Sequence, residues 1–295
     1  MKKSDLSILK ASHHPLADIA AFALMPACER GSIVVSAPHG GYHYPCDLYP
    51  LDKDALRRFR SLEDSGTSIL AEALHRPYRP VLSAHLARAI IDLNRPADAL
   101  DPALYETPCQ TLPTNSPYAP YVAAGYGVMP RLSGERELLH YNRLSLTSAY
   151  QLIAQYHTPY HDKLAALLGA CGADGLLIDI HSMPDRTVGK PLPDFVFGDD
   201  FGITLPAHKR TLIEDYMAQT SHSYGWNYPY SGGYITKTYG ALQSPYHSLQ
   251  IEVNRRLYTG ANNQISRPAL SAIAEMLGGL LAKLEDSKKA VIAAQ

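Results

Sequence analysis

The sequence predicts an α/β fold with a mixed central sheet flanked by helices, and three observations carry that expectation. Short β-branched runs alternate with segments of helical periodicity. Three of the runs stop abruptly at polar clusters, as strands do when they deliver residues to a site. The chain has 295 residues and 46% hydrophobic content, enough to bury one large core, so residues 1–295 read as a single domain.

In chain order the strand-like runs are 32–37, 81–84, 87–93, 175–180, 194–197 and 248–253. Helical patterns cover 52–75, 135–171 (two segments, because Pro159 interrupts it), 206–225 and 268–284. Residues 96–130 contain seven prolines and few periodic apolar positions, so they read as a long loop wrapping the surface or lidding a cleft.

Composition excludes several functions. Lys and Arg (27) nearly cancel Asp and Glu (28), and no run of like charge occurs, so the footprint of a nucleic-acid binder is missing. Cys28, Cys46, Cys109 and Cys171 are dispersed, which argues against a disulfide framework or a sulfur-ligated zinc knuckle and fits a reducing cytoplasm. The N-terminal apolar stretch is broken by Asp5, Lys10, two histidines and Asp18, so it reads poorly as a signal peptide, and no stretch reaches the roughly 20 apolar residues of a membrane span. The GxSxG, GxxxxGK[ST] and GxGxxG patterns do not occur, so serine hydrolase, nucleotide hydrolase and dinucleotide enzyme all lose ground.

The chemistry concentrates at the strand ends. "SAPHGG" places His39 and "LLIDIHSMP" places His181 directly after apolar runs, and neighbouring strands could bring them together. Two histidines and one carboxylate make a zinc site with an open position for water. The carboxylate candidates are Glu63 and Asp64 in "RSLEDSGTS". A histidine among the chain's 13 serves equally well as hydrogen-bonded structure. Asp179 points to the same side of its strand as His181 and could orient the imidazole, or could cap a turn. "DLNRP" sets Asn94 beside Arg95, with Arg88 upstream, a set suited to a carboxylate; the alternative is a simple Asp92–Arg95 pair. Glu252, between Ile251 and Val253, has the surroundings of a general base if buried, or is an edge-strand residue facing water. "SGGYITKTYG" adds Gly232, Gly233 and Lys237 in a loop whose flexibility alone could explain it.

Taken in order, "SAPHGG", "LED", "RAIIDLNRP", "LLIDIHSMP", "LPDFVFGD", "SGGYITKTYG" and "SLQIEVNRRLY" resemble the N-formylglutamate amidohydrolases, relatives of the zinc carboxypeptidases and aspartoacylases. The resemblance implies a zinc-carboxypeptidase-like architecture and one Zn2+ held by His39, Asp64 and His181, with Glu63 as the alternative to Asp64. It implies Glu252 as the catalytic base and Arg88, also a catalytic candidate, with Asn94 and Arg95 as the grip on the substrate carboxylates. Gly232, Gly233 and Lys237 complete the implied substrate-binding set. The family pattern places a lysine before the glycine pair and an arginine and a histidine after it; Ser231, Lys237 and Thr238 stand there instead, which leaves side-chain specificity open.

The implied reaction is metal-dependent hydrolysis of N-formyl-L-glutamate or a similar N-acyl amino acid, a small-molecule substrate, with no nucleic acid and no membrane involved. Three other readings compete: the same hydrolysis of a different N-acyl amino acid or of a short peptide with a free carboxylate, a non-catalytic carboxylate-binding protein on the same scaffold, and a metal-free amidohydrolase using Cys46 or Cys171 as nucleophile, for which neither cysteine has an activating setting.

Overall fold

A computed structural model describes residues 6–7, 12–45, 52–187, 190–260 and 264–293. Its centre is a mixed seven-stranded sheet. In chain order the strands are β1 (Phe22–Met25), β2 (Ile33–Ala37), β3 (Val81–Ala84), β4 (Gly175–Met183), β5 (Phe195–Gly198), β6 (Tyr224–Trp226) and β7 (Tyr246–Asn254). Across the sheet they run β6-β5-β7-β4-β2-β3-β1. The central strands β7, β4, β2 and β3 are mutually parallel, β5 and β6 are parallel to each other, and antiparallel junctions join β5 to β7 and β1 to β3.

The two long central strands decide the layout. Register pairs Ser36 with Asp179, Gln250 with Asp179 and Glu252 with His181. Alternation along β4 and β7 therefore sends Leu177, Asp179, His181, Ser248, Gln250 and Glu252 to one face. It sends Ile178, Ile180, Leu249, Ile251 and Val253 to the other, wholly apolar, face. That apolar face is covered by α2 (Thr67–Ala73), α5 (Ala207–Met217) and α7 (Arg267–Ala293). α7 buries Leu270, Ile273, Ala274, Leu277, Leu280, Leu281 and Leu284, an i/i+3/i+4 stripe, and its Glu285 receives bidentate hydrogen bonds of 2.9 and 2.7 Å from buried Arg79. The opposite face meets α4 (Thr158–Ala170), which follows α3 (Leu146–Leu152) after a π-helical turn, Ile153–His157, and also meets the irregular segment after β3. Among the described residues no helix is long and apolar enough to cross a membrane.

Several predicted elements take another form. Residues 87–93 are not a strand: Ile90 and Ile91 N–H groups donate to Ala87 O, closing turns, while Ala87, Ala89, Ile90, Ile91 and Leu93 are all buried as a cover over the sheet. Burial from every side, not strand pairing, explains the apolar run. The predicted helix over 52–75 is two helices. α1 (Lys53–Arg60) is capped by Asp52, whose carboxylate accepts from the N–H groups of Asp54 and Ala55, and α2 begins after Gly66, which sits at φ +92° where a side chain would be strained. Helix starts only at Leu146 within 135–171, where Ser145 caps it. In 206–225 the helix ends at Met217 and the chain re-enters the sheet as β6, whereas the last helix, predicted over 268–284, extends to Ala293. Residues 96–130 are irregular apart from two short helical turns, Pro102–Leu104 and Ala119–Ala123. The run 231–240, read as a loop, contains the short helix α6 (Tyr234–Tyr239).

Candidate active site

His39 and His181 converge because β2 and β4 are parallel neighbours that finish at the same end of the sheet. The segment Ser61–Gly66 between α1 and α2 brings Asp64 to them, held by a 3.3 Å hydrogen bond from Asp64 N–H to His39 O. Donor atoms of His39, Asp64 and His181 all lie within 4.8 Å of one another, and the three residues are buried. Nδ1 of His181 is 3.0 Å from Asp64 Oδ2, and Nδ1 of His39 is 3.3 Å from the same oxygen without any hydrogen-bond partner. The outer nitrogens are both occupied: His39 Nε2–H donates to Asp92 Oδ1 at 2.7 Å and His181 Nε2–H to Asp179 Oδ2 at 2.9 Å. Carboxylates on the outer nitrogens hold each Nε2–H in place, so the two Nδ1 atoms, which converge on Asp64 Oδ2, would turn their lone pairs to a cation bound there, the arrangement in which histidines ligate metals. Two imidazoles, one carboxylate and a stranded buried Nδ1 fit a divalent cation with an open coordination position. The contacts with His181 and His39 outweigh the burial that would otherwise raise Asp64, so this carboxyl is held well below the usual range.

Glu63, next to Asp64, turns away. Its Oε1 accepts a 2.5 Å hydrogen bond from Tyr44 Oη, and Arg60 Nε and Ser65 Oγ donate to Oε2 at 3.3 and 3.2 Å. Buried Asp179 also accepts from Ser36 Oγ at 2.8 Å, so it is an orienting partner and not a turn cap. The glycines after His39 serve close packing: a Cβ on Gly41 would collide with the Leu86 carbonyl.

Glu252 is 5% exposed, in the interior of the sheet, one strand away from His181. Its Oε1 accepts from Gln250 Nε2 at 2.8 Å, and Gln250 Oε1 in turn accepts the Gly233 N–H at 2.8 Å. Burial, reinforced by nearby Asp64 and opposed by His181, Arg88 and Arg255, pushes the Glu252 carboxyl up to about 7. A carboxyl poised there can take up and release a proton at neutral pH.

These residues open onto a cavity of about 370 Å³ whose walls include Arg88, Asn94, Arg95, Tyr121, Tyr230 and Arg255. Asp92 organises one wall. One of its oxygens accepts from His39 and from the Asn94 N–H, the other from Arg88 Nε at 2.9 Å. Asp92 thus pairs with Arg88 and His39, not with Arg95. Arg95 donates to the carbonyls of Tyr126 and Asn94 and lies over the Tyr121 ring, 4.4 Å from its centroid. The Asn94 side chain is oriented from α6, because its Oδ1 accepts the Ile235 N–H at 2.8 Å. Its Nδ2 is 3.3 Å from His181 Nε2, but that nitrogen donates to Asp179 and cannot also accept, which leaves the amide N–H groups for a ligand.

Gly232 and Gly233 line the same cavity. A Cβ on Gly233 would collide with the Asn94 side-chain amide, which is pinned and cannot yield. Gly233→Ala is therefore expected to force the Asn94 amide off its hydrogen bond with Ile235, raising KM for a carboxylate substrate roughly 10-fold or more, the effect of displacing one positioned donor, and lowering the thermal midpoint as overpacking does. An unaltered KM would mean that Asn94 does not touch substrate. Lys237 does not line the cavity; its Nζ pairs with Asp200 at 2.8 Å. Cys171 is buried at the end of α4, where Sγ donates to Leu167 O, and Cys46 lies outside the described residues.

Asp92, Gln250 and Arg255 belong to the site but carry little signal in the sequence. The alternation of "SLQIEVNRR" could have placed Gln250 beside Glu252. Arg255 becomes visible only in three dimensions, where a turn after β7 brings it back over the cavity with a buried Nε that has no hydrogen-bond partner.

The chain is similar to known proteins over most of its length. Residues 31–259 match the model of the N-formylglutamate amidohydrolase family. N-formylglutamate deformylase from Pseudomonas aeruginosa is 28% identical over 270 residues, covering 86% of this chain and 94% of its own. The enzyme of the same name from Pseudomonas putida is 27% identical over 269 residues, covering 85% and 92%. The crystal structure of N-formylglutamate amidohydrolase from Ralstonia eutropha JMP134 superposes with a TM-score of 0.78 at 26% identity, over 91% of this chain and 98% of that one. A gene product from Agrobacterium tumefaciens, 18% identical, shares the fold with a TM-score of 0.70 over 94% and 99%. The match over residues 31–259, most of the chain and a range that includes every residue of the cavity wall, places this chain in the N-formylglutamate amidohydrolase family.

Proposed function

We propose that this protein, acting as one catalytic unit, hydrolyses the amide bond of N-formyl-L-glutamate, with a divalent cation, zinc by the chemistry of the donors, held by His39, Asp64 and His181. The observation that carries this reading is the buried Glu252 carboxyl beside the His–Asp–His cluster, in a cavity lined by three arginines. The names of the relatives support the substrate. When bound, the cation would polarise the scissile carbonyl and make water acidic enough to attack near neutral pH.

Glu252 accepts the proton of the attacking water and returns it to the amino nitrogen as the C–N bond breaks, giving formate and L-glutamate. Gln250 holds the Glu252 carboxylate by one oxygen, and Oε2 carries no hydrogen bond among the described residues, so it is available for that proton. Arg88, fixed through Nε by Asp92, keeps its terminal N–H groups for the substrate. Together with Asn94 and Arg95 it anchors carboxylate, so that attack is effectively intramolecular. Because Lys237 is engaged with Asp200, recognition of the second carboxylate falls to the cavity arginines, Arg255 among them. The same fact favours, as a second reading, an N-acyl amino acid with a different side chain.

The test is formate release from N-formyl-L-glutamate by purified protein, with and without chelator and after zinc is restored. Release that chelator abolishes and zinc restores is the expected result. Release insensitive to chelator would remove the cation, and hydrolysis only of other N-acyl amino acids would establish the second reading.

A pH dependence follows from Glu252. The working form is the ionised carboxylate, so activity is present above its pKa and lost as pH falls through it. That pKa is about 7 without a cation, and a bound cation would lower it. The acid limb of kcat/KM should therefore lie at or below pH 7. A flat profile from pH 7 to pH 4 would exclude Glu252 as the base.

A further inference from the structure

Two histidines outside the cavity wall, His157 buried and His161 half-buried, grip the chain on either side of Asn94. His157 Nε2–H donates to Arg95 O at 2.8 Å, and His161 Nε2–H donates to Leu93 O at 2.9 Å. Their rings stack, with centroids 4.3 Å apart and planes 28° from parallel. The stack continues to Tyr239, whose ring lies 12° from parallel with His161 and whose hydroxyl meets His161 Nδ1 at 2.9 Å. The π-helical turn Ile153–His157 ends at the first of these histidines, and four residues on, along α4, the second faces the same way. A carbonyl can only accept, so each imidazole must carry its hydrogen on Nε2. Burial keeps both rings neutral, His161 with its pKa lowered to about 3, so these donors persist across the working pH range.

The cluster ties three elements to one point: the π-helical turn and α4 through the histidines, α6 through Tyr239, and the strip Leu93–Arg95 through its carbonyls. α6 also supplies the Ile235 N–H that orients the Asn94 amide. Backbone and side chain of Asn94 are thus fixed from two directions, and Arg95 is carried with it.

We propose that His157 and His161 are positioning residues that hold Asn94 and Arg95 in register as a carboxylate clamp, without touching substrate themselves. This rests on the proposed hydrolysis of an N-acyl amino acid. Phe in place of His157 keeps an aromatic ring in the stack and removes the donated N–H, whereas Phe in place of His161 also removes the Nδ1 contact with the Tyr239 hydroxyl. His157→Phe should raise KM for N-formyl-L-glutamate about 10-fold while kcat changes less than about 3-fold, the signature of lost ground-state positioning. Discrimination between N-formyl-L-glutamate and its α-carboxamide should shrink in parallel, and His157→Gln, whose amide N–H can reach the same carbonyl, should recover part of both. His161→Phe should raise KM at least as much, because it loses the Tyr239 contact as well as the bond to Leu93 O, and it carries the comparison if His157→Phe does not fold.

A folded variant with wild-type KM and undiminished carboxylate preference would overturn the clamp. Absence of turnover in the wild type would instead count against the proposed reaction. The clamp would then be read from calorimetric binding of L-glutamate: weaker binding by His157→Phe than by wild type supports it, and equal binding, or none by either, overturns it.

Discussion

Glu252→Gln should abolish most hydrolysis while leaving the fold and cation binding intact. The amide is nearly isosteric with the carboxylate and can keep a hydrogen bond with Gln250, but it has no basic oxygen for the proton of water. Loss of a positioned general base costs on the order of 10²–10⁴-fold, read as kcat for formate release beside calorimetric titration of zinc into the metal-free protein. Because the carboxylate carries a repulsive charge near Asp64, removing that charge should also leave the buried cluster folded; a thermal midpoint at or above wild type is the companion result. Turnover within a few-fold of wild type would move the base elsewhere and leave Glu252 as a structural member of β7.

The second large effect separates two adjacent acids. Asp64→Ala should remove tight zinc binding and activity together, because Asp64 Oδ2 lies close to Nδ1 of both histidines. Glu63→Gln should retain both, because its carboxyl is engaged by Tyr44, Arg60 and Ser65 on the far side of the chain. Zinc titration with activity measured on the same samples is the check. The opposite pattern, with Glu63→Gln metal-free and Asp64→Ala loaded, would reassign the ligand and mean that the segment Ser61–Gly66 turns the other way. His39→Ala and His181→Ala belong with Asp64→Ala, and full zinc occupancy in either would break the site.

What could be read in advance differed by the kind of structure involved. β2 and β4 announce themselves by apolar, β-branched runs ending in polar clusters and β7 by its alternation, and alternation by itself assigns Asp179 and His181 to one face. It also sets Glu252 apart from Ile251 and Val253. Residues 87–93 have the same apolar character, yet form turns, because burial of an apolar run does not specify whether the burying partner is a neighbouring strand or the face of a sheet. Gly66, at φ +92°, cuts one predicted helix into two and thereby swings Asp64 into the site. Helical periodicity on both sides hid that break.

The sequence by itself therefore determined the fold class, the strand ends that bear His39 and His181, and the side of β7 on which Glu252 stands. Each depends on local periodicity, which is a property of consecutive residues. Only the tertiary structure turned Asp64 toward the two histidines and Glu63 away, gave Asp92 to His39 and Arg88, drew Lys237 away to Asp200, and brought Arg255, His157 and His161 to the cavity and its support. Those assignments are made by hydrogen-bond partners from distant parts of the chain. A side chain's role there is set by which competing donor or acceptor reaches it at about 3 Å, and that distance exists only after the sheet has assembled.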